Sequence, residues 1–101
     1  MGRGFVAIAE VELRLPGSAT LKDRRSALAR LRNGIVERFG ASVSEVGGRD
    51  RADQGDLLVA IALQTQTATD EAVQRLERWL DERDDQARLV QARVVTPEDV
   101  E

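Results

Sequence analysis

The sequence contains no cysteine, no histidine and no tyrosine. Without cysteine there is no disulfide, no thiolate nucleophile and no sulfur-ligated metal. Without histidine the commonest general base at neutral pH and the commonest metal ligand are both missing. Ser18, Ser26, Ser42 and Ser44 therefore have no imidazole to activate them. Two phenylalanines and one tryptophan are the whole aromatic complement, too few to build a sheet surface that stacks RNA bases. Lysine occurs once, as Lys22, beside 14 arginines. That imbalance reads first as codon composition, since the two residues are interchangeable on most solvated surfaces. Selection for bidentate phosphate contacts is the second reading.

Long apolar runs are also missing. No stretch approaches the roughly 20 residues that span a bilayer. The opening "MGRGFVAIAEVELRL" is interrupted by Glu10 and Glu12, and no signal-peptide cleavage pattern follows it. A cytoplasmic protein without a membrane partner is the expectation. With 101 residues, 42% hydrophobic and 33% charged, the chain suits one folded domain with a single modest core.

Residues 5–15, "FVAIAEVELRL", alternate strictly, which predicts a strand. Phe5, Ala7, Ala9, Val11, Leu13 and Leu15 share one face, and Val6, Ile8, Glu10, Glu12 and Arg14 share the other. "PGSA" predicts a turn, and Thr20 with Asp23 three residues on predicts a capping box. A helix is expected from Leu21 to Arg38 or Phe39, with Leu21, Leu28, Leu31, Ile35 and Phe39 on one stripe and Gly40 as its stop. Residues 41–46 read as a short strand, 47–55 as a loop and 56–64 as an alternating strand. Thr67 or Thr69 is the expected cap of a second helix running from Asp70 to Arg83, with Val73, Leu76, Trp79 and Leu80 inward. Residues 88–95 read as a last strand.

The order β-α-β-β-α-β predicts a ferredoxin-like α+β sandwich. Its four-stranded antiparallel sheet has the order 4-1-3-2, with both helices on one face. Residues 1–96 are read as this single domain and 97–101 as a polar C-terminal tail. The expected core joins the inward residues of the first strand to Leu28, Leu31, Ile35, Phe39, Val59, Ile61, Val73, Leu76 and Trp79. This fold hosts many functions and names none of them.

The stretch "LRLPGSATLKDRRSAL", continued by "RLRNGIVERFGASVSEVG", resembles the YlxP-like family of small bacterial proteins, whose signature is an "LKDKR"-type helix start followed by "RF" and an "EV" strand. The resemblance spans nearly the whole chain in length and element order. It implies a ferredoxin-like fold and leaves the role undefined, with family genes often lying near those for transcription and translation factors, and it carries no catalytic residues. The sequence departs from it at Arg51-Ala52, where many members have an aromatic.

Charge is segregated along the chain. Between Thr20 and Phe39, six basic residues face Asp23 and Glu37, a net +4 in a protein whose formal charge is −3. Residues 66–86 carry −4. Arg24 falls inside the apolar arc of the first helix and Arg25 at its edge, so a buried guanidinium there needs a partner. Glu45, in phase with Ala41 and Val43, is the expected one, paired with Arg24 or Arg25 as a structural ion pair.

Lys22, Arg24, Arg25, Arg49 and Arg51 are predicted to gather at one end of the domain, beside a helix N-terminus that favours anions. They are the expected contacts to RNA or a ribosomal particle, in a non-catalytic accessory protein. The alternative is a homodimeric protein-interaction module using the open sheet face. Val6, Ile8, Leu58, Ala60 and Ala62 would form its apolar patch, rimmed by Glu10, Glu12, Gln64 and Arg93. No metal and no cofactor is expected. "DRADQGD" lacks both the EF-hand spacing and its closing glutamate, and nothing in the pattern implies a pocket for a carboxylate pair.

Overall fold

The computed structural model describes residues 4–47, 51–83 and 85–99. The elements are β1 (Phe5–Arg14), α1 (Leu21–Phe39), β2 (Ser42–Val46), β3 (Gln54–Leu63), α2 (Gln66–Asp81) and β4 (Gln86–Val95). A single 3₁₀ turn, Pro97–Asp99, follows, in which the Asp99 carboxylate accepts from the Thr96 amide at 2.9 Å. The four strands form one antiparallel sheet in the order β2-β3-β1-β4, with β2 and β4 at its edges. This is the ferredoxin-like order read from the sequence, counted from the other edge.

Helix α1 begins and ends where its local chemistry directs. The Thr20 hydroxyl accepts from the Asp23 amide at 3.0 Å, and the Asp23 carboxylate accepts from the Thr20 amide at 3.0 Å. Such a reciprocal cap stabilises a helix start by about 1 kcal/mol. Gly40 closes the helix in the left-handed region at φ 60°, with its amide bonded to the Val36 carbonyl. A β-carbon would be disfavoured in that conformation.

The core lies between the sheet and both helices. Ala7, Ala9, Val11 and Leu13 of β1 and Leu57, Val59 and Ile61 of β3 meet Leu28, Leu31 and Ile35 of α1 and Ala72, Leu76 and Leu80 of α2. One buried cluster holding residues of both helices and one phase of the central strands requires both helices on the same face. Leu31, Ile35, Val59 and Leu76 have no exposed surface, and burying each large apolar side chain stabilises the fold by about 1.5–3 kcal/mol. Phe39, Val73 and Trp79 are half-buried at the margin of this core. Phe5 is half-buried outside it, and Leu21, at the first turn of α1, is half exposed.

Two further differences from the sequence reading concern the second half. Helix α2 starts at Gln66, capped by Thr65, whose hydroxyl accepts from the Ala68 amide at 3.1 Å. Neither Thr67 nor Thr69 is the cap. Thr69 is fully buried one turn in, and its hydroxyl donates to the Thr65 carbonyl at 2.7 Å. Packing on the sheet turns Thr69 inward and leaves the capping position to Thr65. Strands β3 and β4 each begin two residues earlier than their apolar runs, because ladder bonds to β1 continue through polar Gln54 and Gln86.

The mid-helix Gly34 has a packing reason. A β-carbon built there would stand 2.8 Å from Cη2 of Trp79. The Trp79 indole lies across α1, with the Phe39 ring edge-on at 5.9 Å and the Arg83 guanidinium over it at 4.7 Å.

Candidate functional site

At the start of α1 the capping box places the Asp23 carboxylate and the Thr20 hydroxyl against the free amides of the first turn. An acid already occupies the position that would attract an anion. One residue on, Arg24 points inward. It is 6% exposed, its Nε donates to the Gln54 carbonyl at 2.7 Å, and its Nη1 lies 3.1 Å from Oε1 of Glu45. This guanidinium ties α1 to β2 and β3, so it is not a surface contact for phosphate. Arg25 is exposed and lines a shallow hollow with Leu21, Arg24 and Glu45.

The other expected phosphate contacts have different fates. Arg51 forms a two-pronged ion pair with Asp53, its Nε and Nη2 each 3.1 Å from a carboxylate oxygen. That hydrogen bonding holds the Asp53 carboxyl below the usual aspartate range. Arg49 lies outside the described residues. Lys22 is exposed. Of the five cations assigned to this end, Arg24 is withdrawn into the fold and Arg51 is bound to an acid. Lys22 and Arg25 are the described residues that face solvent without an ion pair.

The open face of the sheet carries the second group. Val6 pairs with Ala62, Ile8 with Ala60 and Glu10 with Leu58 across β1 and β3, and side chains directly opposite each other share a face. Ile8 is 37% exposed and Leu58 39%. Ala62 is exposed, whereas Val6 and Ala60 are half-buried.

Two apolar residues that sequence reasoning did not place here join them, Val46 and Val90. Val46 ends β2 in phase with Ser42 and Ser44, so the alternation that put Val43 inside carried the signal for it. Val90 had no such signal. The pairing of β1 with β4 shifts register between Glu10 and Val11, so that Gln91 faces Glu10 and Leu89 faces Val11. Val90 is the extra residue of a β-bulge, whose side chain local alternation does not direct. It lines a hollow of about 410 Å³ with Val46, Leu58, Glu10, Glu12 and Asp56.

Glu12, expected as rim, is buried under two arginines. Arg88 Nε approaches its Oε1 at 3.0 Å and Arg14 Nε at 3.3 Å. The hydrogen bond from Arg88, with help from Arg14, outweighs burial and holds the Glu12 carboxyl below the usual glutamate range. Among the described residues, no three acids converge to hold a metal ion, and no helix is long and apolar enough to cross a membrane.

Residues 6–94 match a protein family described as "Protein of unknown function (DUF503)". The chain belongs to that family. The matched span takes in both helices and all four strands except Phe5 at the start of β1 and Val95 at the end of β4. The chain is also similar to "Uncharacterized protein YlxP" of Bacillus subtilis (strain 168), at 25% identity over 77 residues, covering 76% of this chain and 84% of that protein. The family description names no activity, so the reading of function rests on the surfaces of the chain.

Proposed function

We propose that the protein is a non-catalytic interaction module of the cytoplasm that associates with a second copy of itself through the open face of the sheet. The observation that carries this reading is the placement of its exposed apolar side chains. Of the five large ones among the described residues, Ile8, Val46, Leu58 and Val90 stand on this face, and only Leu21 does not. The charges around them suit a two-fold. Acids Glu10 and Asp56 lie on the β1–β3 side, and Arg93 lies along β4 with Arg88, which is held by Glu12 of its own chain. A copy rotated by half a turn brings one set over the other.

Burying the remaining surface of four such side chains on each copy is worth about 5–10 kcal/mol. Association costs about 4–15 kcal/mol. The dimer is therefore weak and concentration-dependent. Sedimentation from micromolar to millimolar protein should show a shift from monomer to dimer. Ile8→Glu or Leu58→Glu should abolish it, because each buries a charge without a partner. Variants that sediment like wild type would exclude this face, and a wild type that stays monomeric throughout would exclude the reading.

A second reading keeps RNA as the partner, contacted by Lys22 and Arg25. The exposure of both, without an ion pair, favours it. Binding there should be salt-sensitive and should be lost in a Lys22→Glu/Arg25→Glu variant. Retention of RNA by that variant at low salt would exclude this contact.

A further inference from the structure

At the far end of α1 from its capped start, three arginines surround one cleft. Arg38 comes from the last turn of α1, and Arg75 and Arg78 come from successive turns of α2. The space between them measures about 380 Å³ and is floored by Phe39 and Trp79. Among the described residues none of the three guanidiniums makes a hydrogen bond or an ion pair. Glu82 lines the same cleft without pairing with any of them. Arg83, the next guanidinium along, is already committed to Asp85 at 2.6 Å and to the Trp79 ring.

Helix ends explain part of this. Arg38 and Arg78 sit in the last turns of their helices, where a cation offsets the negative end of the dipole by about 0.3–1 kcal/mol. Arg75 lies a turn further in and receives no such benefit. The dipole also gives no reason for side chains from two helices to converge on one hollow. In a protein of net charge −3, three unpaired guanidiniums at one cleft form an oxyanion site, and their planar donor forks match phosphate.

We propose that this cleft binds phosphate groups through Arg38, Arg75 and Arg78. One face of Trp79 is taken by Arg83 and its edge rests on Gly34, so the ring serves as the wall of the site and not as a platform for a base. Recognition is therefore of phosphate and not of base sequence. Arg38 and Arg78 each sit in the last turn of a helix, whose free carbonyls do not attract an anion, which leaves affinity to the guanidiniums and makes it fall steeply with salt.

Trp79 is the sole tryptophan, so its emission reports occupancy directly. The test titrates wild type, at low salt, with pyrophosphate and separately with a short single-stranded RNA of mixed sequence. Either ligand should change Trp79 emission, and Arg75→Glu/Arg78→Glu should weaken binding at least about tenfold. Both positions are exposed on α2, so that variant should keep its far-UV spectrum. Arg75→Gln/Arg78→Gln serves if it does not.

A response to RNA alone identifies a nucleic-acid strand as the source of the phosphate, and a response to pyrophosphate alone identifies a small phosphorylated compound. With RNA, three contacts give a slope of log K against log salt near −2, at about 0.7 per phosphate. The proposal is overturned if neither ligand moves the emission, or if the double variant binds as wild type does. It is also overturned if binding disappears in Lys22→Glu/Arg25→Glu and survives in Arg75→Glu/Arg78→Glu, which would return the contact to the start of α1.

Discussion

Replacing Arg24 by alanine tests whether the basic start of α1 is there to hold the fold. The guanidinium is 6% exposed and donates through Nε to the Gln54 carbonyl at 2.7 Å. A hydrogen bond from a charged donor contributes about 1.5–3 kcal/mol. The bond to Glu45 adds less, because the Glu45 side chain is 39% exposed and its carboxylate returns to water when the partner goes. A pair of that kind is worth no more than about 1 kcal/mol. Relief from burying a cation offsets part of the sum.

The expected loss for Arg24→Ala is about 2–3 kcal/mol. For a domain of this length that lowers Tm by on the order of 10–20 °C. Urea melts followed by far-UV circular dichroism would measure it. Arg25→Ala, exposed and without an ion pair, should stay within about 0.5 kcal/mol of wild type. A double-mutant cycle with Glu45→Ala should return a coupling near 1 kcal/mol. If Arg24→Ala and Arg25→Ala melt together, the buried guanidinium contributes nothing to stability and the structural account of Arg24 is wrong.

Two other changes probe packing and charge elsewhere. Gly34→Ala should destabilise by about 1 kcal/mol despite alanine's better helix propensity, because its methyl must displace the Trp79 ring. In a Trp79→Ala background the same change should become stabilising, and an unchanged sign there would remove Trp79 as the cause. Glu12 has a native pKa below its unfolded value of about 4.3. Its contribution to stability is thus complete above that pH and is lost as the pH falls through the lowered native value. Glu12→Gln should flatten the acid limb of stability against pH, and a limb that superimposes on wild type would show that Arg88 and Arg14 do not favour the carboxylate.

The sequence alone was sufficient wherever the determining interaction is local. Alternation marked the strands β1 and β3, because side chains two residues apart must share a face. The Thr20–Asp23 spacing marked the start of α1 and Gly40 its end, because caps are bonds made within a few residues of each other. Element order then led to the sheet order, because few chain paths satisfy short connections and one-sided helices.

What needed the tertiary structure is what depends on the rotation and depth of one element against another. Local pattern pointed to Thr67 or Thr69 as the cap of α2, whereas Thr69 is buried one turn in and Thr65 takes that role. Arg24 lies inside the apolar arc of α1 and Arg25 at its edge, and only the placement of β2 and β3 brings Glu45 and the Gln54 carbonyl to Arg24. The bulge that turns Val90 onto the open face is a register shift between strands distant in sequence. Arg38 lies nearly forty positions from Arg75 and Arg78. Their common cleft lies where Trp79 of α2 rests against Gly34 and beside Phe39 of α1. No local pattern carries that distance, since it is set by how side chains from separate helices fill the space between them.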